Sequence, residues 1–193
     1  MRIALAGPLN QKQKEALCLT VAKKTGIEAV CNLTQYTLSK HGLLNKDLQT
    51  IKKVEFTNSH LDIIDDRIRH ISCRDNLITE TCGLDWLAQV LLISSDIKYG
   101  AGFEKTVALA VEELDCYDLV IILPFLEPIT SSTSLEGLRT RMLQQGLVDY
   151  LADRTKTFIV EVPDRSTEEE LVEDVFENII AEFSQFKKYL SNT

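Results

Sequence analysis

Apolar residues run unbroken through Ile3-Ala4-Leu5-Ala6, and Gly7-Pro8 follows at once. Such a run predicts a strand over residues 2–7 that is buried on both faces, as in a parallel sheet. Over 12–25 the period becomes helical, with Ala16, Leu17, Thr20, Val21 and Lys24 along one stripe and Gly26 placed to end the helix. Residues 27–30 read as a short second strand, and 33–43 as a short helix closed by Gly42. Asn45 reads as an N-cap, with Asp47 in the first turn of a longer helix that reaches the region 62–66. Residues 68–73 read as a strand, turned by Arg74-Asp75-Asn76.

Helical patterns follow over 84–93 and, after a break at Gly100-Ala101-Gly102, over 103–114. The second is amphipathic, with Val107, Ala108, Ala110 and Val111 inward and Glu104, Glu112 and Glu113 outward. The clearest strand covers 117–124, wholly apolar in its middle and ended by Pro124. The polar stretch 127–134 shows no pattern, 136–151 is helical, and 157–163 is another buried strand. A last helix opens near Thr167 with Glu168-Glu169-Glu170, acids suited to a helix N-terminus, and closes with Lys187-Lys188. Strands alternate with helices throughout. The expected fold is therefore α/β, a three-layer α-β-α arrangement around a mainly parallel sheet, in a single domain over 1–193. In such sheets ligands bind beyond the carboxyl ends of the strands. Those ends are expected at Gly7-Pro8, Cys73-Arg74-Asp75, Leu123-Pro124-Phe125 and Val162-Pro163.

Composition narrows the partners. The 193 residues are 45% hydrophobic and 26% charged, with a formal net charge of −8. That balance argues against broad binding to nucleic acid or anionic membrane, although a local basic pocket is allowed. The five cysteines show no C-x-x-C spacing, so reduced core thiols are expected rather than a zinc site. No signal peptide and no apolar run near 18 residues are apparent, which points to a cytosolic compartment. His41, His60 and His70 are unclustered and are assigned no catalysis.

The chemistry suggested by the opening is phosphate binding, because a strand running into Gly7-Pro8 and then a helix is the setting of a phosphate loop. A working loop reads G-x-x-x-x-G-K-[ST]: glycines let backbone N–H groups surround phosphate, lysine neutralises its charge, and the hydroxyl holds Mg²⁺. At strict spacing from Gly7, Lys12 stands at the second glycine, Gln13 at the lysine and Lys14 at the hydroxyl. One inserted or deleted residue would place Lys14 or Lys12 at the lysine, but Glu15 or Gln13 would then take the hydroxyl position.

Four segments in order resemble the P-loop nucleotide-kinase-like ATPases, the group of ribosylnicotinamide-kinase-like domains and virus-encoded nucleotide kinases. Gly7-Pro8 resembles the G-P-x-x-x-G-K-T opening. The stretch 36–43 with its following helix resembles the segment before an "lkklg" helix. Ser72-Cys73-Arg74-Asp75 resembles the strand-ending S-D-R-S-x-x-D motif. Tyr117-Asp118-Leu119-Val120, with Glu136-Gly137-Leu138-Arg139, resembles Y-D-L-V-F-Y-L-P followed by D-G-x-R. The resemblance implies catalytic roles for Asp75 and Arg139 if the chain is active. It implies phosphate or ligand contacts from Gly7, Pro8, Asn10, Lys12, Lys14 and Arg74. The loss of the second glycine, the hydroxyl and the motif aspartate points instead to an impaired kinase-like protein. That protein would have no cofactor and would act through a protein partner or a ligand other than ATP, with homo-oligomerisation left open. The alternative is a working nucleotide or nucleoside kinase with an atypical loop, using ATP and Mg²⁺.

Overall fold

The computed structural model describes residues 1–7, 9, 11–42, 53–93, 101–124, 135–163 and 167–191. The expected Asn45 cap, Asp47, Gly100 and the stretch 127–134 lie outside them. β1 (Arg2–Ala6), β2 (Glu28–Val30), β3 (Leu77–Thr79), β4 (Leu119–Ile122) and β5 (Phe158–Glu161) form one sheet, in the order β2-β3-β1-β4-β5. Every pairing is parallel, with Ala4 opposite Thr79 on one side and Val120 on the other. The central position of β1 explains its unbroken apolar run: both faces must be dry.

Side chains of β1 alternate between the two layers, as the period of two requires. Ile3 and Leu5, with Ile78, Leu119 and Ile121, pack against α1 (Gln11–Thr25), α7 (Glu168–Glu173) and the π-helical turn Asp174–Ile180. Ala4 and Ala6, with Val120 and Ile122, pack against α4 (Gly83–Ile93), α5 (Ala101–Leu114) and α6 (Leu135–Ala152). A further layer forms where Ile63, Ile64 and Ile68 of α3 (Lys53–Ser72) meet Trp86 and Val90 of α4. The short α2 (Leu33–Lys40) precedes α3, and α8 (Ala181–Ser191) ends the described chain. Thr167 begins α7, where the helix start was expected, and forms a reciprocal capping box with Glu170.

Four expectations change. The strand expected to be buried over 157–163 is β5 at the sheet edge, where a strand has one neighbour only, with Phe158 and Glu161 exposed and Ile159 and Val160 half-buried. Residues 68–72 are not a strand but the last turns of α3, and β3 lies further on at Leu77–Thr79. Ile64, Ile68 and Ile71 recur every three or four residues and continue one helical face. Gly102 lies within α5 rather than in a break. On α5, Ala108 is exposed and Glu113 is fully buried. Glu113 turns inward because Arg67 of α3, itself fully buried, meets it at 2.8 Å. Arg67 also donates to the Thr81 hydroxyl at 3.1 Å and the Thr81 carbonyl at 3.2 Å. Burial works against the guanidinium charge, and Glu113 more than offsets it, so the pKa of Arg67 is raised.

Gly7 closes β1 with φ 125°, and a Cβ there would stand 2.6 Å from the Leu123 carbonyl oxygen. Only glycine fits both constraints. No helix among the described residues is long and apolar enough to cross a membrane.

Gly7→Ala should destabilise the protein by more than about 2 kcal/mol, read from urea melts, since strain and a backbone clash act together. Arg67→Met should cost about 3–5 kcal/mol, because it leaves the Glu113 carboxylate buried without its cation. Adding Glu113→Leu to that variant should recover much of the loss, and a double-mutant cycle in which the two losses simply add would contradict the pairing.

Candidate functional site

Three elements converge where β1 and β3 end. Gly7 ends β1 and donates its backbone N–H to Asp85 Oδ1 at 3.0 Å. Asp85 lies in the first turn of α4 and reaches back with Oδ2 toward the Cys82 N–H at 3.4 Å. Acids favour that end of a helix, where backbone N–H groups are free. Lys14 Nζ sits 3.4 Å from Asp85 Oδ2, with side chains only 7% and 6% exposed. Gln144 of α6 donates its amide to Asp85 Oδ1 at 3.0 Å. One carboxylate thus joins the β1 turn, α1, α4 and α6.

Lys14 reaches this place because it starts the buried stripe of α1, which continues through Leu17, Cys18, Val21 and Ala22. The stripe is rotated from the expected one, and Ala16, Thr20 and Lys24 face solvent. The expected set made a helical face without using Cys18 or Ala22, both of which are small enough to lie against the sheet.

Glu80 follows β3 directly and is fully buried. Its Oε1 accepts from Gln11 Nε2 at 3.1 Å and from the Asn32 N–H at 2.9 Å. Asn32 adopts φ 64° between β2 and α2. Glu80 Oε2 and Gln144 Oε1 find no hydrogen-bond donor among the described residues. Burial raises the pKa of Glu80, and the bonds it accepts only partly oppose this. Its open oxygen suits an N–H or O–H donor, or a proton.

The structure brings Gly7 and Lys14 together and leaves the other candidates elsewhere. Lys12 is exposed on α1. Pro8 and Asn10 lie outside the described residues. Arg139 is carried by α6, five residues before Gln144. Arg74 and Asp75 precede β3, so they lie at the amino edge of the sheet, opposite Gly7. Arg74 donates to the His70 carbonyl at 2.6 Å and approaches Glu28 at 3.6 Å, and the carbonyl of exposed Asp75 accepts from the N-terminal ammonium at 2.8 Å. Their expected position at a carboxyl end followed from ending the strand at Cys73.

Glu80 and Asp85 were missed for the same reason. With the strand ending at Thr79, S-D-R-S-x-x-D falls on Thr79-Glu80-Thr81-Cys82-Gly83-Leu84-Asp85, with acids five apart in both. That spacing was the available signal. Gln144 carried none, being one polar residue on a helix.

The raised pKa of Glu80 gives a pH signature. An acid whose folded pKa is raised contributes stability below its ordinary pKa and loses it as pH rises through the raised value. Glu80→Gln, a neutral isostere, should therefore gain stability relative to the parent as pH rises across that window. Melting both proteins over a pH series checks this, and a difference that does not vary with pH would contradict it.

No family model and no curated protein matches the chain. Solved structures do. The deoxyadenosine kinase from M. mycoides, with products dCMP and a flexible dCDP bound, superposes with TM-score 0.58 at 16% identity, covering 96% of this chain and all of that one (100%). The same enzyme with bound dCTP gives 0.53 at 15%, covering 93% and 100%. The shikimate kinase from Acinetobacter baumannii, in complex with shikimate, gives 0.51 at 12%, covering 94% and 93%. Together with the all-parallel five-stranded sheet, these likenesses show that the chain has a P-loop nucleotide-kinase-like fold.

Proposed function

We propose that this protein is a catalytically impaired P-loop kinase-like protein that acts through a protein partner or a ligand other than ATP. The observation that carries this is the buried Lys14–Asp85 pair beneath Gly7. Counted from Gly7, Lys14 occupies the hydroxyl position of a phosphate loop and Gln13 the lysine position. An ammonium where a hydroxyl would hold Mg²⁺ repels a divalent cation. The residues present therefore do not fit Mg²⁺–ATP held in the usual way. Its lysine charge is already spent on Asp85, and buried Glu80 adds a second acid beside the strand ends. Among the described residues there, a triphosphate would meet the carboxylates of Asp85 and Glu80 and a lysine already paired. The degenerate loop, the net charge of −8 and the intact sheet fit a cytosolic scaffold with a protein partner, not one for nucleic acid or membrane.

A second reading is favoured by Glu80 alone. In an active nucleotide or nucleoside kinase with an atypical loop, Glu80 would take the base role first assigned to Asp75. Lys12 or Lys14 would hold phosphate, and Arg139 would steady the transferred group.

Calorimetric titration of ATP and of GTP with Mg²⁺, paired with melting scans, separates the two. The expected result at millimolar nucleotide is no heat and no shift in melting temperature. A ligand at a hundredfold excess over its Kd stabilises by about 2.7 kcal/mol. A shift of that order, lost in Lys14→Met, together with phosphoryl transfer to a nucleoside or nucleoside monophosphate, would overturn the proposal.

A further inference from the structure

Two thiols meet between α1 and the end of β2. Cys18 belongs to the buried stripe of α1, and its Sγ lies 3.4 Å from the Ile78 carbonyl oxygen. Cys31 directly follows β2, where Val30 is opposite Thr79 and Ala29 opposite Ile78. Ala29 and Cys31 share the face of β2 that continues the layer where Cys18 covers Ile78, and Cys31 packs against the apolar cluster that contains Cys18. Cys18 is fully buried and Cys31 half-buried, so reagents reach the pair through Cys31. The remaining thiols have other neighbours: Cys73 turns to the His70 carbonyl at 3.1 Å, and Cys116 to Ser72 and the Glu112 carbonyl, each at 3.3 Å.

We infer that Cys31 and Cys18 are a hydroperoxide-sensitive dithiol that closes to a disulfide, a modification site linking α1 to the end of β2. The two sulfurs have different roles. Hydrogen bonding from Cys18 lowers the pKa of Cys31, against burial and the charges of Glu80 and Glu15. The same contact, with burial, pushes Cys18 far up, so it stays a thiol. The Cys31 thiolate attacks the terminal oxygen of a hydroperoxide ROOH. The O–O bond breaks, an S–O bond forms, and RO⁻ takes a proton to leave as ROH. Cys18 sulfur then attacks the sulfenic sulfur, the S–O bond breaks, and the hydroxyl leaves with the Cys18 proton as water. Two thiols and one hydroperoxide thus give one disulfide, one ROH and one water. Both ends of the link adjoin the site. Lys14 is one turn before Cys18 on α1, and Asn32, which donates to Glu80, follows Cys31.

The test exposes the purified full chain to equimolar hydrogen peroxide, then alkylates free thiols with N-ethylmaleimide under denaturing conditions and maps peptides without reductant. The expected product is a Cys18–Cys31 linked peptide, lighter by two hydrogen atoms and released by dithiothreitol. Cys31→Ser should abolish the link. Cys18→Ala should leave Cys31 as a sulfenic acid that dimedone captures. Should Cys18→Ala fail to fold, the parent and Cys31→Ser maps decide alone. Recovery of Cys31 as sulfinic acid with Cys18 alkylated, links through other cysteines instead, or both thiols alkylated and unoxidised would each overturn the inference.

Discussion

The carboxylate of Asp85 is the contact on which the arrangement of the site depends. It accepts from the Gly7 N–H and from Gln144, pairs with Lys14, and lies over the Cys82 N–H at the start of its own helix. A buried charge is costly unless it is paired and hydrogen-bonded. Asp85 satisfies that requirement by drawing on four separate elements. Each of those elements is thereby held at the carboxyl edge of the sheet. The β1 turn cannot relax independently, because Gly7 is also packed against the Leu123 backbone.

Behind that edge, the Arg67–Glu113 pair fastens the outer helix α3 to α5 and to the chain leaving β3. Its bonds to Thr81 tie it to the residue next to Glu80. The pair therefore bears on the position of Glu80 without touching it. A fully apolar core would hold the layers together as well. The polar pair adds a fixed register between α3 and the strand end, since a guanidinium fork meets its partners in only a few orientations.

The electrostatics of the edge follow from these two pairs. Lys14 faces Asp85, Arg67 faces Glu113, and among the described residues Glu80 accepts from the Gln11 amide and the Asn32 backbone N–H. In a sheet of this topology the strand ends form the natural crevice for a ligand. Here, among the described residues, that crevice presents an acid with a raised pKa and one open oxygen. On the proposed reading, a ligand with N–H or O–H donors suits it better than a polyanion does.

Sequence by itself determined the strands β1, β4 and β5, the alternation that makes an α/β sheet, and the capped start of α7. Those features are local: unbroken apolar runs mark β1 and β4, buried on both faces, and Thr167 with Glu170 satisfies helix N–H groups within one turn, whereas the burial expected for β5 does not hold, because it lies at the sheet edge with Phe158 and Glu161 exposed. Only the tertiary structure decided where the third strand lies. The apolar residues at 68–71 and at 77–78 fit a strand equally well as short runs, and α3 claims the first set through its packing on α4. That one choice moved Arg74 and Asp75 to the amino edge and brought Glu80 and Asp85 to the carboxyl edge. The inward turn of Lys14 and Glu113 was likewise beyond a sequence pattern, because a charged residue faces a core only when a partner from another element is already there.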